Sequence, residues 1–340
     1  MCAFNCEKYI ERSISSILKQ TYADFEFVIV LDAPTDKTRE IVESIKDSRL
    51  KLIFNEQNEG LTRSLNIGLK HCSHEWVARQ DADDLSLPTR FEKQMQFLSQ
   101  NPNVVLVGSS TFLMDEGEKH IGVHQVPTTH QDIRWQMLFD NAFVHTSTVF
   151  KASIVRELGG YDESFKRTQD FDLWRRVSSR YQVANLTEPL VKYRHHPESI
   201  SSKQSDFSNF YGDKIIAEHA KDLGLPKDWG KCLATIRHAK YVNEDIPFLR
   251  QALQILPSIK ADNSVFIHER YPRCFEYISI KSAGVSLALS LSAYIKMLKA
   301  SPISIIYFPY LKWILRWVSG VCGPETFEKL KKVKSRLKFS

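Results

Sequence analysis

Cysteine is scarce: six residues in 340 (Cys2, Cys6, Cys72, Cys232, Cys274, Cys322), none in a CxxC pair. That excludes a disulfide-framed miniprotein and offers nothing to a zinc ribbon or a redox dithiol. Free thiols in a reducing compartment are the expectation. Glycine and proline number only 13 each, with no period, so neither a collagen-like repeat nor a low-complexity linker is present. Long apolar runs are missing too. The longest uncharged stretches towards the C-terminus cover 282–295 and 300–311, short of the ~18 residues a spanning helix requires. Met1 is followed by Asn5, Glu7 and Lys8 rather than by the apolar core of a signal peptide. Hydrophobic residues make up 43% and charged residues 25%, which excludes a disordered chain.

The net charge is +6, and it is unevenly spread. From Ala283 onward there are ten Lys/Arg against Glu325 and Glu328, a balance of +8, so residues 1–282 carry −2. The basic character belongs to the tail, which argues against a nucleic-acid-binding body.

The first ~115 residues alternate helical and extended patterns. Ile10, Ile14, Ile17 and Leu18 recur at helical spacing, and Phe25–Leu31 is a β-branched apolar run of the kind buried on both faces. A helix with Ile41, Val42 and Ile45 follows, then a strand at Leu50–Phe54 and a helix with Leu61, Leu65 and Leu69. Glu75–Arg79 predicts a strand, Pro88–Gln100 a helix and Val104–Gly108 another strand. Such β-α-β units imply an α/β fold, a mostly parallel sheet with helices on both faces. A helix begins within a few residues of Met1, where a doubly wound sheet would open with a strand. The first strand therefore reads as truncated, with a natural start expected upstream. Residues 116–200 are less regular, with a helix near His130–Phe139 and a turn at Gly159–Asp162. The expected division is 1–201, a helical extension over 202–282, and an amphipathic basic segment over 283–340.

Ligands of open parallel sheets bind beyond the carboxyl ends of the strands, and acidic residues fall there. Asp81 and Asp83, one residue apart on a turn, can offer hard oxygens to Mg²⁺ or Mn²⁺ beside a diphosphate. The same spacing also suits a solvated acidic turn in which Asp84 and Ser86 cap the next helix. Asp32, after Phe25–Leu31, suits either a hydrogen bond to a base or ribose or a cap on the following turn. Asp170 suits a general base or the N-cap of the helix carrying Phe171, Leu173, Trp174 and Val177. His195 and His196, beside Arg194, suit metal or phosphate binding or plain solvation.

Taken in order, the motifs resemble a glycosyltransferase of family 2 with the GT-A fold, of the type that builds bacterial surface polysaccharides. Phe4–Tyr9 with Ile14–Thr21 is similar to the family's opening YNxxxYxxxxIxSILxQT, and Val28–Thr38 to IIVDDGSTDxT. Asn58–Leu61 with Asn66–Gly68 matches NxGLxxxxNxG, and Ala78–Arg90 resembles ARMDADDxxxPxR. Gly159–Asp162 and Gln169–Arg176 resemble GGYxE and EDYDLWLR. Leu31 and Ala33-Pro34 depart from the family pattern, while Asp32 is retained.

The resemblance implies a donor site in which Asp32 meets the nucleotide base, with Phe4 and Arg63 beside it. It places Asp81 on the ribose or metal side and Asp83 on a Mg or Mn ion at the diphosphate, with His196 as a further metal or phosphate contact. It makes Asp170 the base of an inverting single displacement. The implied partners are a nucleotide-diphosphate sugar donor and a glycan or lipid-linked acceptor, not nucleic acid. The expected location is cytoplasmic, at the inner face of the bacterial plasma membrane. Tyr310, Trp313, Ile314 and Trp317 share one helical face, and Lys329–Lys338 is basic. Residues 302–338 thus suit either an in-plane helix on anionic lipid or a helix packed on protein. The rival readings are a catalytically inactive nucleotide-sugar-binding scaffold and a nucleotidyltransferase, though no Gly-rich triphosphate loop is evident.

Overall fold

The computed structural model describes residues 1–138, 140–195 and 206–224. In chain order the elements are β1 (Cys2–Ala3), α1 (Ile10–Leu18), β2 (Phe27–Leu31), α2 (Thr38–Ser44), β3 (Leu50–Phe54), α3 (Leu61–His71), β4 (Trp76–Ala78), β5 (Leu85–Ser86) and α4 (Arg90–Gln100). There follow β6 (Val104–Met114), β7 (His120–His124), α5 (His130–Gln136), a 3-10 turn (His145–Ser147), β8 (Val149–Lys151), α6 (Ala152–Glu157), α7 (Gln169–Ser178), β9 (Gln182–Arg194) and α8 (Asp206–Asp222). All lie in one compact unit, Met1–Ala234.

Two sheets form. The first is parallel, in the order β1-β2-β3, with Cys2 opposite Val30 and Val30 opposite Ile53. Every residue of β2 is buried, as its unbroken apolar run requires. Ile10, Ile14 and Ile17 of α1 pack with Phe27, Ile29, Leu31 and Val42 into its core. The Met1 ammonium donates to the Val28 carbonyl at 2.9 Å. A cavity of about 280 Å³ runs past Met1, Val28, Leu69, Trp76, Ala78 and Phe91.

The second sheet, β4-β8-β6-β9-β5 with β7 on β6, is mixed: β6 and β9 run parallel, and the other pairs are antiparallel. The expected mostly parallel character is therefore a property of the first sheet. β6 runs on past the expected Gly108 to Met114. The long β9 was not expected from sequence because Pro189 interrupts it. The register with β6 slips between Ser109/Leu186 and Thr111/Val191, so the proline sits in a bulge where no ladder N–H is needed.

Of the expected 202–282 extension, α8 is described, and it docks through an Arg175–Asp222 ion pair of 2.6 Å and a hydrogen bond between His219 Nε2 and the Arg134 carbonyl of 2.7 Å. His196 and residues 302–338 lie outside the described residues. Among the described residues no helix is long and apolar enough to cross a membrane.

Candidate functional site

Asp32 follows β2 and is buried. Its Oδ1 accepts from Asn55 Nδ2 (2.7 Å) and the Glu59 N–H (2.9 Å), and its Oδ2 from the Gly60 N–H (3.0 Å). Asp32 thereby fixes the loop that feeds α3, and Gly60 supplies the left-handed φ of +83° this loop needs. Phe4 is exposed at the end of β1. Asn5 next to it accepts the Thr35 N–H at 2.8 Å, which laces the loops after β1 and β2 together. Arg63, on α3, is exposed and pairs with Glu59 at 2.8 Å.

The acidic turn after β4 is held from beneath by polar side chains that sequence reasoning had not singled out as structural. Gln80 is buried; its amide donates to the carbonyls of Asp81 (3.1 Å) and Asp84 (2.8 Å), and its Oε1 accepts from Ser86 (2.7 Å) and Arg90 (3.1 Å). The fully buried Arg90 guanidinium also donates to Ser86 Oγ, Gln94 Oε1 and the carbonyls of Arg79 and Thr148. It meets neutral oxygens where a carboxylate would be expected, and burial with Arg79 nearby pulls its pKa down to about 9. In sequence Arg90 matches the Arg of the family motif, whereas Gln80 stands where that motif has Met.

Asp81 is half-buried; its carboxylate takes Arg79, and its N–H donates to Thr146 Oγ1 at 3.1 Å. Asp83 is half-buried, and its carbonyl accepts from Arg194 Nε at 2.7 Å. Asp84 does not cap α4. Its Oδ1 accepts the Arg194 N–H at 2.7 Å, and burial, then Asp83 and Asp81, push its pKa well above the carboxylate range. Ser86 does not cap that helix either, since its hydroxyl is bound to Gln80. Both residues brace the turn instead.

Asp170 is not an N-cap: Thr168, at φ +59°, precedes the helix and Asp170 lies in its first turn. Asn141 Nδ2 donates to its Oδ2 at 2.8 Å. Burial pushes the Asp170 pKa up to about 6, helped by the charge of Asp81, against backbone N–H groups and Asn141 that favour the anion. The same electrostatic reach links the other groups. Tyr161 feels Arg79, Asp170 and Asp81; Cys2 feels Arg79, Asp81 and Asp32; Cys6 feels Asp36 and Asp83. Asp81 is thus within electrostatic reach of Asp170, and Cys2 is within reach of both Asp81 and Asp32. Tyr161 OH shares a 3.0 Å hydrogen bond with His145 Nε2, and burial holds that imidazole neutral, its pKa down at about 3.

Asp81 and Asp83 offer the hard oxygens that Mg²⁺ or Mn²⁺ prefers. Among the described residues no three His, Cys, Asp or Glu side chains converge on a metal position. An ion here would therefore complete its shell with substrate and water oxygens.

Residues 1–159 match the family model for glycosyl transferase family 2. The putative glycosyltransferase EpsE of Bacillus subtilis is 35% identical over 234 residues, 66% of this chain and 82% of that protein. The O-antigen biosynthesis glycosyltransferase WbnJ of Escherichia coli is 34% identical over 207 residues, 58% of this chain and 79% of its own. Among solved structures, S. aureus TarS 1–349 in complex with UDP-GlcNAc superposes with a TM-score of 0.58 at 17% identity, over 88% of this chain and 89% of that one. The parallel first sheet, the acidic turn after β4 and these likenesses agree: the chain has the GT-A fold and belongs to glycosyl transferase family 2.

Proposed function

We propose that this glycosyltransferase is an inverting enzyme, transferring a sugar from a nucleotide-diphosphate donor to a hydroxyl of a glycan or lipid-linked acceptor during cell-surface polysaccharide synthesis. The observation that carries the reading is Asp170, a half-buried carboxyl in the first turn of α7 that is held by Asn141 and lies within electrostatic reach of the acidic turn. The relatives' names support the substrate classes. They include an amylovoran biosynthesis glycosyltransferase of Erwinia amylovora, and an Escherichia coli glucosyltransferase named for UDP-Glc and a GlcNAc-diphosphoundecaprenol acceptor.

In this reading Asp170 takes the proton of the acceptor hydroxyl as its oxygen bonds to the anomeric carbon. The bond from that carbon to the diphosphate breaks, and the nucleoside diphosphate leaves with the electron pair. Asp83, with Asp81 beside it, would hold Mg²⁺ or Mn²⁺, which when bound supplies positive charge against the departing diphosphate. Asp32 holds the Asn55–Gly60 loop at the base side of the donor, and the exposed Phe4 ring and Arg63 lie on elements that flank it. His196 remains a further candidate contact on sequence grounds.

The test is substitution of the two carboxylates. Asp83→Ala and Asp170→Asn should each lower transfer by about a hundredfold or more, measured as release of nucleoside diphosphate from a panel of UDP- and GDP-sugars. Asp170→Asn should keep donor binding, measured by calorimetry. Turnover at the wild-type rate in either variant contradicts the assignment.

A further inference from the structure

One segment, 140–148, touches both sides of the site. On the donor side Thr146 Oγ1 accepts the Asp81 N–H at 3.1 Å, and the Thr148 carbonyl accepts the Arg79 N–H at 2.8 Å. At the other end Asn141 Nδ2 donates to Asp170 Oδ2 at 2.8 Å, across 29 positions of sequence. The amide is not free to turn round. Its Oδ1 accepts the Phe143 N–H at 3.1 Å, and its own backbone N–H donates to Asp140 Oδ1 at 2.9 Å. Reversed, it would set oxygen against carboxylate and N–H against N–H. Asp170 itself enters from the other direction, on the first turn of α7 after the left-handed Thr168.

We propose that Asn141 is a positioning residue for Asp170: it ties Oδ2, fixing the carboxylate's rotation so that its remaining lone pairs face the acceptor in one direction. Through residues 141–146 it also sets the spacing between that carboxylate and the turn bearing Asp81 and Asp83. This rests on the assignment of Asp170 as the base. Among the described residues, Asp81, from the turn after β4, and Tyr161, from the turn after α6, are ionisable groups within electrostatic reach of Asp170. Neither donates to the bound oxygen, so loss of Asn141 removes a contact that they do not replace.

The experiment uses the full chain carrying Asn141→Ala or the near-isosteric Asn141→Asp. Turnover of the wild type's best donor from a panel of UDP- and GDP-sugars is followed against pH, with water or a GlcNAc-diphospholipid as acceptor. Nucleoside diphosphate binding and Tm are measured alongside. Asn141→Ala should lower kcat by about 10- to 100-fold, with donor affinity and Tm near wild type. Its acidic limb should lie about one pH unit higher, because a hydrogen bond that favoured the anion is gone. Asn141→Asp should move the limb further, since a second carboxylate now faces the first. The proposal is overturned if both variants keep the wild-type limb, or if kcat, donor affinity and Tm fall together. Asp170→Asn separates the two readings. If it turns over normally, the base assignment fails and the positioning role with it. If it is inactive while both Asn141 variants keep the wild-type limb, only the role of Asn141 fails.

Discussion

At the residue scale the proposed chemistry turns on one displaced ionisation. Asp170 ordinarily titrates near 3.8, and burial with Asp81 nearby holds it up at about 6 in the fold. The proposed base must be ionised to act, so on that proposal transfer should climb as pH rises through about 6, with an acidic limb that Asp170→Asn abolishes along with activity. Stability runs the other way. Between 3.8 and 6 the folded state binds more protons at this carboxyl than the unfolded state, so stability falls as pH rises through that window. Asp170→Asn should therefore raise Tm at pH 8 and leave it unchanged near pH 3; an equal Tm for both proteins at pH 8 would sink the argument. Much of this was legible beforehand. Asp81, Asp83 and Asp170 are acidic residues placed at strand ends or helix starts, and that pattern can be read from a string. Asn141 was not, because a lone Asn in an irregular stretch has no period, and its meaning comes from the chain path that carries it to Asp170. Arg90 was visible as a motif letter and Gln80 was a departure from the motif's Met, but burial of an Arg on neutral oxygens is a fact of packing.

At the element scale, patterns of period 3.6 or unbroken apolar runs gave α1, β2 and β3 with boundaries near those observed. β9 escaped because Pro189 and the polar Thr187 and Glu188 break its run, and pairing with β6 on one side and β5 on the other makes it a strand. Two motifs far apart in sequence prove to be one device. Asn66 on α3 donates from Nδ2 to the Tyr161 carbonyl (2.8 Å) and accepts the Tyr161 N–H on Oδ1 (2.9 Å), clasping the turn that leads towards α7. A Cβ on Gly160 would stand 2.6 Å from that Oδ1, at φ +72°, whereas a Cβ on Gly159, at φ +86°, would meet nothing within 4 Å. Gly159→Ala should thus cost only the left-handed penalty, about 1–2 kcal/mol. Gly160→Ala should cost more, about 2–4 kcal/mol, because the clasp must shift as well. Urea unfolding of the two variants checks the order, and equal losses would show that Asn66 yields without strain.

At the scale of the whole molecule the notable quantity is the division of charge. Residues 1–282 sum to −2 and residues 283–340 to +8, so the chain is a slightly acidic body with a basic end. A lipid-linked acceptor would lie at a membrane surface, and a basic segment beside an apolar stripe is the chemistry that anionic lipid attracts. Each Lys or Arg near such a surface contributes about 1 kcal/mol, screened by salt. Replacing Lys331, Lys332, Lys334 and Arg336 by Gln in the full chain should therefore weaken binding to phosphatidylglycerol-containing vesicles by about a thousandfold at low ionic strength. The wild type should itself let go as salt is raised. Turnover of a soluble donor with water as acceptor should not change, since the proposed donor site and base draw on none of the four. Vesicle binding that survives all four substitutions, or that ignores salt, would remove the electrostatic account. A wild type that never binds vesicles, paired with a variant of lowered Tm, would mean that the basic segment's contacts are with protein.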